Sequence, residues 1–416
     1  MSNLKEDALK YHIGGKLGTE ITVPMEEYSS LSLAYSPGVA YPCLEIAENK
    51  DLAYKYTSKH NLVAVISDGS AVLGLGNIGG LAGKPVMEGK CCLFKKFAGV
   101  DAFDIELDTQ DTEGIIAAVR AIAPTFGGIN LEDIAAPKCF EIEARLQDLG
   151  IPVMHDDQHG TAIISGAGLI NACEIIGKKI EDLKVVVCGA GAAGIACAKI
   201  YKDLGVKDIY LVDSKGVCNT KRTDLNKYKQ ELARDCKEET LEEILKGADV
   251  FLGLSKAGTL TEDMLKSMAK DPIVFALANP DPEIVPSVAK AIRPDVIIAT
   301  GRSDYDNQIN NVIGFPFIFR GALDVHATQI SNGMKLAAAR AISELGRLPV
   351  SEKTKKLYGK DLKYGRDLII PKPFDERVKA YVSTAVAKAA FDEGLAGVKE
   401  FDHKAYFERL LNESNK

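Results

Sequence analysis

The chain has no uncharged apolar run approaching the ~18 residues that a membrane span needs, so no membrane segment is expected. Its opening, Met1-Ser2-Asn3-Leu4-Lys5-Glu6-Asp7, lacks the apolar core of a secretory signal, and a cytoplasmic location is the expectation. A basic excess is missing too: lysine and arginine number 51 against 58 acids, a net charge of −7. Phosphate backbones are bound by clustered positive charge, so nucleic acid is not an expected partner, while a local basic pocket stays compatible with that balance. No C-x-x-C occurs among the nine cysteines, which argues against a zinc ribbon or a disulfide framework and for reduced, small apolar side chains. Internal repeats and low-complexity linkers are also absent.

What is present is an ordinary α/β composition of 416 residues, 46% hydrophobic and 26% charged with 37 glycines. That length exceeds one usual core, so two domains are expected. Residues 1–35 are polar and irregular, and Tyr35-Ser36-Pro37-Gly38 makes a bend that holds Tyr35. Apolar runs at 61–67 and 102–107 read as strands. Between them Leu73-Gly74-Leu75-Gly76-Asn77-Ile78-Gly79-Gly80 has G-x-G-x-x-G spacing, but no G-K-[ST] ending and no clear helix after it, so a close-packed turn near a ligand is expected. Lys90 comes next, ahead of the apolar Cys91-Cys92-Leu93-Phe94.

From residue 112 the period is regular: helix at 112–123, strand at 127–131, helix at 137–149, strand at 151–154. The two strands should be parallel neighbours about 5 Å apart, joined by a right-handed crossover. Glu132-Asp133 follows the first and Asp156-Asp157 the second, so four carboxylates meet at the carboxyl edge, where open α/β sheets bind ligands. Their repulsion requires raised pKa values or a bound cation, and an oxygen-only donor set favours Mg²⁺ or Mn²⁺ over zinc. Helix capping by Asp133 and Asp157 is the competing explanation. His155 and His159 stand four apart, yet Asp-Asp-Gln between them departs from H-E-x-x-H, and zinc hydrolysis is not expected.

Beyond a small-residue helix at 161–176, the strand 184–188 runs directly into Gly189-Ala190-Gly191-Ala192-Ala193-Gly194 and a helix at 195–204. A second strand, 209–212, ends in Asp213, 24 residues after Gly189, which completes a dinucleotide fingerprint. Gly189 permits the tight turn, Gly191 lets backbone approach the pyrophosphate, and Gly194 lets the helix pack close. Asp213 is expected to accept from the adenosine ribose, which favours NAD, with NADP left open because Ser214 and Lys215 could meet a phosphate. Strands at 249–254, 273–277 and 296–299 alternate with helices at 241–246 and 261–269, so the sheet should be doubly wound. Ala278-Asn279-Pro280-Asp281-Pro282 and Thr300-Gly301-Arg302-Ser303-Asp304 punctuate its carboxyl edge, and Asn279 and the later Asn310-Asn311 pair are neutral donors and acceptors suited to an amide, ribose or carboxylate. A helical stretch at 319–345, a charged connection at 353–372, an amphipathic helix at 377–391 and a polar tail close the chain. The expected division is a substrate and metal domain at 1–160 and a Rossmann-type cofactor domain at 161–416, with 331–416 as a helical return.

The motifs Leu33 to Ala40, Ser67-Asp68-Gly69, Leu73 to Gly79, Gly89-Lys90, Leu131-Glu132-Asp133-Ile134, His155 to Ala162, Ala278-Asn279-Pro280 and Asn310-Asn311-Val312 together resemble a malic enzyme of the short bacterial type. The resemblance implies oxidative decarboxylation of L-malate to pyruvate and CO₂ with NAD or NADP and Mg²⁺ or Mn²⁺, in a homodimer or higher homo-oligomer. It also implies roles: Lys90 as base, Tyr35 as acid, Asp156 beside Lys90, Glu132, Asp133 and Asp157 as metal ligands. Ala192 and Ala193 would join the three glycines at the dinucleotide, and Asn279 and Asn311 would contact substrate and nicotinamide. A buried or cation-flanked Lys90 with a lowered pKa is expected, since a base must be neutral. Larger relatives carry an arginine two residues after the Asp-Gly turn where this chain has Ser70-Ala71. A malolactic-type enzyme, or a silent dinucleotide sensor, is the alternative function.

Overall fold

Four of the expected strands pair in parallel in the computed structural model, whose described residues are 4–302 and 304–415. They are β1 (Leu62–Ser67), β2 (Asp101–Glu106), β3 (Gly128–Leu131) and β4 (Val153–His155), in the order β2-β1-β3-β4. β1, β3 and β4 bury nearly every side chain, as strands covered on both faces do. Their register aligns the strand exits: Ile66 pairs with Leu131 and Leu131 with His155, so the chain leaves these three strands at one edge.

The second sheet contains β5 (Lys184–Cys188), β6 (Asp208–Asp213), β7 (Gly216–Val217), β8 (Val250–Gly253), β9 (Ile273–Ala276) and β10 (Ile297–Thr300). Its order is β10-β9-β8-β5-β6-β7, parallel except for the short antiparallel β7. Connections diverge on either side of β5, toward β6 one way and β8 the other, which opens a crevice at the carboxyl edge there.

The two sheets are joined by the helix Asp156–Ile176, whose small residues Gly160, Ala162, Ser165, Gly166, Ala167 and Gly168 are all buried. It packs between Ala192–Asp203 and Asn332–Arg347. A Cβ at Gly166 would lie 3.2 Å from the Ile200 and Leu204 side chains, tighter than ordinary contact, so glycine eases this close approach. Expected to start near Thr161, the helix begins five residues earlier, directly where β4 ends. Asp156 and Asp157 therefore occupy its first turn, where the positive end of the helix dipole favours acids.

Other expectations change as well. A helix, Gly80–Leu93, does follow Gly79; its glycines and an internal Pro85 dilute the helical pattern, although Gly83, Met87 and Cys91 at four-residue spacing make a buried face. The cofactor helix starts at Ala192 rather than 195. The stretch 319–345 is two helices, Phe315–Asp324 and Asn332–Arg347, and the Ser331 hydroxyl caps the second by accepting from Met334 N at 3.0 Å. Within the charged connection lies Glu352–Tyr358, ended by Gly359 at φ +62°, and the polar tail contains His403–Asn415. No described helix is long and apolar enough to cross a membrane.

Candidate active site

Because β3 and β4 end together, Glu132, Asp133 and Asp157 each offer a carboxylate oxygen, and those oxygens lie within 4.8 Å of one another. The backbone N–H of Asp133, a residue at φ +54°, donates to Asp157 Oδ2 at 2.7 Å and ties the two strand exits together. Glu132 and Asp133 are buried. Burial and then the charges of Asp157, Asp156 and Asp133, opposed by Lys90, push the Glu132 carboxyl well above the usual range. Three crowded acidic oxygens without nitrogen or sulfur fit a hard divalent cation such as Mg²⁺ or Mn²⁺. Capping does not explain Asp157, whose Oδ2 accepts from Asp133 N rather than from its own helix.

Lys90 faces the trio from the helix Gly80–Leu93. Its Nζ lies 2.6 Å from Asp156 Oδ2, 2.8 Å from Glu132 Oε1 and 4.2 Å from the centre of the Phe315 ring. Burial works against the ammonium, but Asp156 and Glu132 outweigh it and raise the Lys90 pKa. The expected lowering is thus reversed, because acids rather than a cation flank the amine. Asp156 is wholly buried and also accepts from Asn311 Nδ2 at 3.1 Å, while Thr161 Oγ donates to Asn311 Oδ1 at 3.2 Å.

Lys90, Glu132, Asp133, Asp157, Thr161 and Asn311 line a cleft of about 450 Å³ together with Asn279, Asn310, Ala193 and Ser255, so the acid edge of one sheet faces the fingerprint of the other. A cavity of about 610 Å³ lies elsewhere, around Lys96, Phe97 and Phe374, and volume alone would misplace the site. At the fingerprint Gly189 has φ +122°, and a Cβ on Gly194 would sit 1.8 Å from the Gly189 carbonyl oxygen, so both need glycine. Nothing comes within 4 Å of a Cβ built on Gly191, which leaves its backbone open to a ligand. Asp213 differs from expectation: Arg222 and Lys229 already hold both of its oxygens.

Tyr35 is not brought to the cleft; it is 73% exposed and does not line it. Ser70 Oγ donates to Asp68 Oδ1 at 2.6 Å and accepts from Ala135 N at 2.9 Å, so this side chain braces the loop after β3. Among the described residues lining the cleft, Lys90 is the only cation. Two further contributors are not evident from the sequence. Asn130 donates to Glu132 Oε2 at 2.8 Å, and its place two residues earlier on the same strand face was the available signal. Glu283, fully buried, accepts from Ser255 N at 2.9 Å and Ala278 N at 3.1 Å and so binds two cleft loops; nothing local in the sequence marks it.

The family model for the malic enzyme N-terminal domain matches residues 14–147, and that for the malic enzyme NAD binding domain matches residues 158–360. The chain belongs to the malic enzyme family. Glu132 and Asp133 fall in the first matched region, Gly189 to Asp213 in the second, and Asp156 and Asp157 between them. An NADP-dependent malic enzyme of Halomonas elongata is 54% identical over 94% of this chain and 94% of its own length. A probable NADP-dependent malic enzyme of Rickettsia prowazekii is 55% identical over 98% of this chain, which spans only 54% of that relative. Among solved structures, a malic enzyme from Pyrococcus horikoshii superposes with a TM-score of 0.91 at 43% identity, covering 99% of this chain and 96% of that one.

Proposed function

We propose that the chain catalyses the divalent-metal-dependent oxidative decarboxylation of L-malate to pyruvate and CO₂, with reduction of NAD⁺ or NADP⁺. The observation that carries this reading is Lys90 Nζ, held 2.8 Å from Glu132 within the acid trio, in a cleft whose opposite wall is the dinucleotide fingerprint. Glu132, Asp133 and Asp157 would hold the metal. When bound, that ion and the nicotinamide would supply polarisation of the C2 oxygen and a hydride acceptor. The acid surplus that keeps Lys90 charged would be offset by a divalent cation held at Glu132, Asp133 and Asp157; neutral Lys90 Nζ would then take the C2 hydroxyl proton, and Asp156 would pair with the ammonium so formed. Asn279 and Asn311 orient substrate and nicotinamide as neutral donors. The reading divides the chain into a substrate and metal unit at 1–160 and a cofactor unit at 161–416.

Protonation of C3 after loss of CO₂ falls to Tyr35, which a single protomer does not place in the cleft. The helices Tyr28–Ala34 and Ala40–Glu48 bury no residue, and Tyr28, Leu33 and Tyr41 are exposed by 93%, 76% and 74%. Apolar exposure of this kind favours a homodimer in which one copy's Tyr35 serves the other's Lys90. Mixing Lys90→Ala chains with Tyr35→Phe chains tests it: hybrids restore about a quarter of wild-type activity if the tyrosine acts across the interface, and none if it acts within its own chain.

Activity itself is tested by following nicotinamide reduction and CO₂ release with malate and Mn²⁺. Equal yields support oxidative decarboxylation. CO₂ release without net reduction would instead indicate a malolactic reaction, and dinucleotide binding without turnover a sensor.

A further inference from the structure

The proposed reaction needs a nicotinamide dinucleotide, and on that reading rests the inference that the residues beyond β6 decide which one. Gly189 N donates to Val212 O at 2.9 Å, so Asp213 lies beside the fingerprint at the place of the adenosine ribose. In an NAD-selective site such an acid accepts from the ribose hydroxyls and repels a 2′-phosphate. Here Oδ1 accepts from Lys215 N at 2.9 Å and Arg222 Nη1 at 2.8 Å, and Oδ2 from Arg222 Nη2 at 3.1 Å and Lys229 Nζ at 2.7 Å. A carboxylate has about four acceptor sites, so little remains for a ribose.

The same cations already grip a second anion. Arg222 donates to Asp224 from Nε and Nη2, both at 3.0 Å, and Lys215 Nζ donates to Asp224 Oδ2 at 2.7 Å. This is a forked guanidinium plus one ammonium around a single carboxylate, the donor set that suits a phosphate. Asp224 sits in a loop, its side chain 37% exposed, where an incoming dianion can displace it. Lys215, Arg222 and Lys229 outnumber Asp213 and Asp224 by one charge, and displacement of Asp224 widens that excess.

We propose that Arg222 and Lys215, backed by Lys229 and by Asp213 as their anchor, form a subsite for the 2′-phosphate of NADP, with Arg222 as the specificity-determining residue. Asp224 stands in for the phosphate when no dinucleotide is bound.

Calorimetric titration of the full chain with 2′,5′-ADP and with 5′-ADP tests this without any turnover. The expected result is that 2′,5′-ADP binds at least about tenfold more tightly than 5′-ADP. Arg222→Ala should cost about tenfold or more for 2′,5′-ADP without weakening 5′-ADP, because Asp213, freed of Arg222, can accept from the ribose. Lys215→Ala, at a residue whose side chain is 68% exposed and tolerant of change, should act in the same direction. Equal or tighter binding of 5′-ADP, or variants that weaken both probes alike, would overturn the proposal. Selective 2′,5′-ADP binding in a chain that does not oxidise malate would instead leave this subsite standing and remove the catalytic reading.

Discussion

Two carboxylate clusters lie at the carboxyl ends of parallel strands in this fold, and their charge balances are opposite. Around β3 and β4, Glu132, Asp133, Asp156 and Asp157 face one close cation, Lys90. Beyond β6, Asp213 and Asp224 face three, Lys215, Arg222 and Lys229. In the first cluster burial and mutual repulsion drive the Glu132 carboxyl up. In the second, burial is overcome by hydrogen bonds from Arg222 and Lys229, and Asp213 is held at about 2. An acid after a strand therefore carries no fixed meaning. The surplus charge decides: one cluster calls for a cation, the other for an anion.

The strongest way to break the comparison is Lys90→Ala, which strips the first cluster of the ammonium paired with Glu132 and Asp156. Malate oxidation should fall by about 10²–10⁴-fold while dinucleotide binding persists, and a near-wild-type rate would reject Lys90 as the base. A smaller effect is expected at Glu283, which joins the loops after β8 and β9 on the cofactor wall without touching either cluster. Glu283→Ala should raise the KM for dinucleotide by about tenfold with Mn²⁺ affinity unchanged, and Glu283→Gln, which keeps an acceptor, should recover part of it. Loss of Mn²⁺ binding in the alanine variant would show that the two walls do not act separately.

The smallest effect concerns pH. The Asp213 carboxyl lies below its ordinary value of about 3.9, so the stability it contributes is complete above that pH and is lost as pH falls toward about 2. Asp213→Asn should flatten acid unfolding across this window and leave the slope near neutrality unchanged. An unaltered acid limb would mean that Arg222 and Lys229 do not hold this carboxylate in solution.

Much of this arrangement is written locally. The strands, the Gly189 to Gly194 turn and the acids after β3 and β4 follow from apolar runs and from punctuation next to them, and the register of β1, β3 and β4 then brings Glu132, Asp133 and Asp157 together. What escaped was set by contacts distant in sequence. Asp213 reads as a ribose acceptor until Arg222 and Lys229, 9 and 16 residues later, fold back onto it. Lys90 looks like any solvated lysine because its helix is diluted by glycine and Pro85, and its partner Asp156 is 66 residues away. Tyr35 is exposed and does not line the cleft, so its expected role there rests on the family resemblance and not on a contact within the chain.

The central claim is that the acid surplus at the first cluster is a divalent cation site, and Mn²⁺ titration of the full chain by calorimetry tests it most directly. The account predicts a single Mn²⁺ ion per chain, bound at least about tenfold more weakly after Asp157→Asn and unaffected by Arg222→Ala. Mn²⁺ binding of equal strength in the Asp157→Asn chain would contradict it.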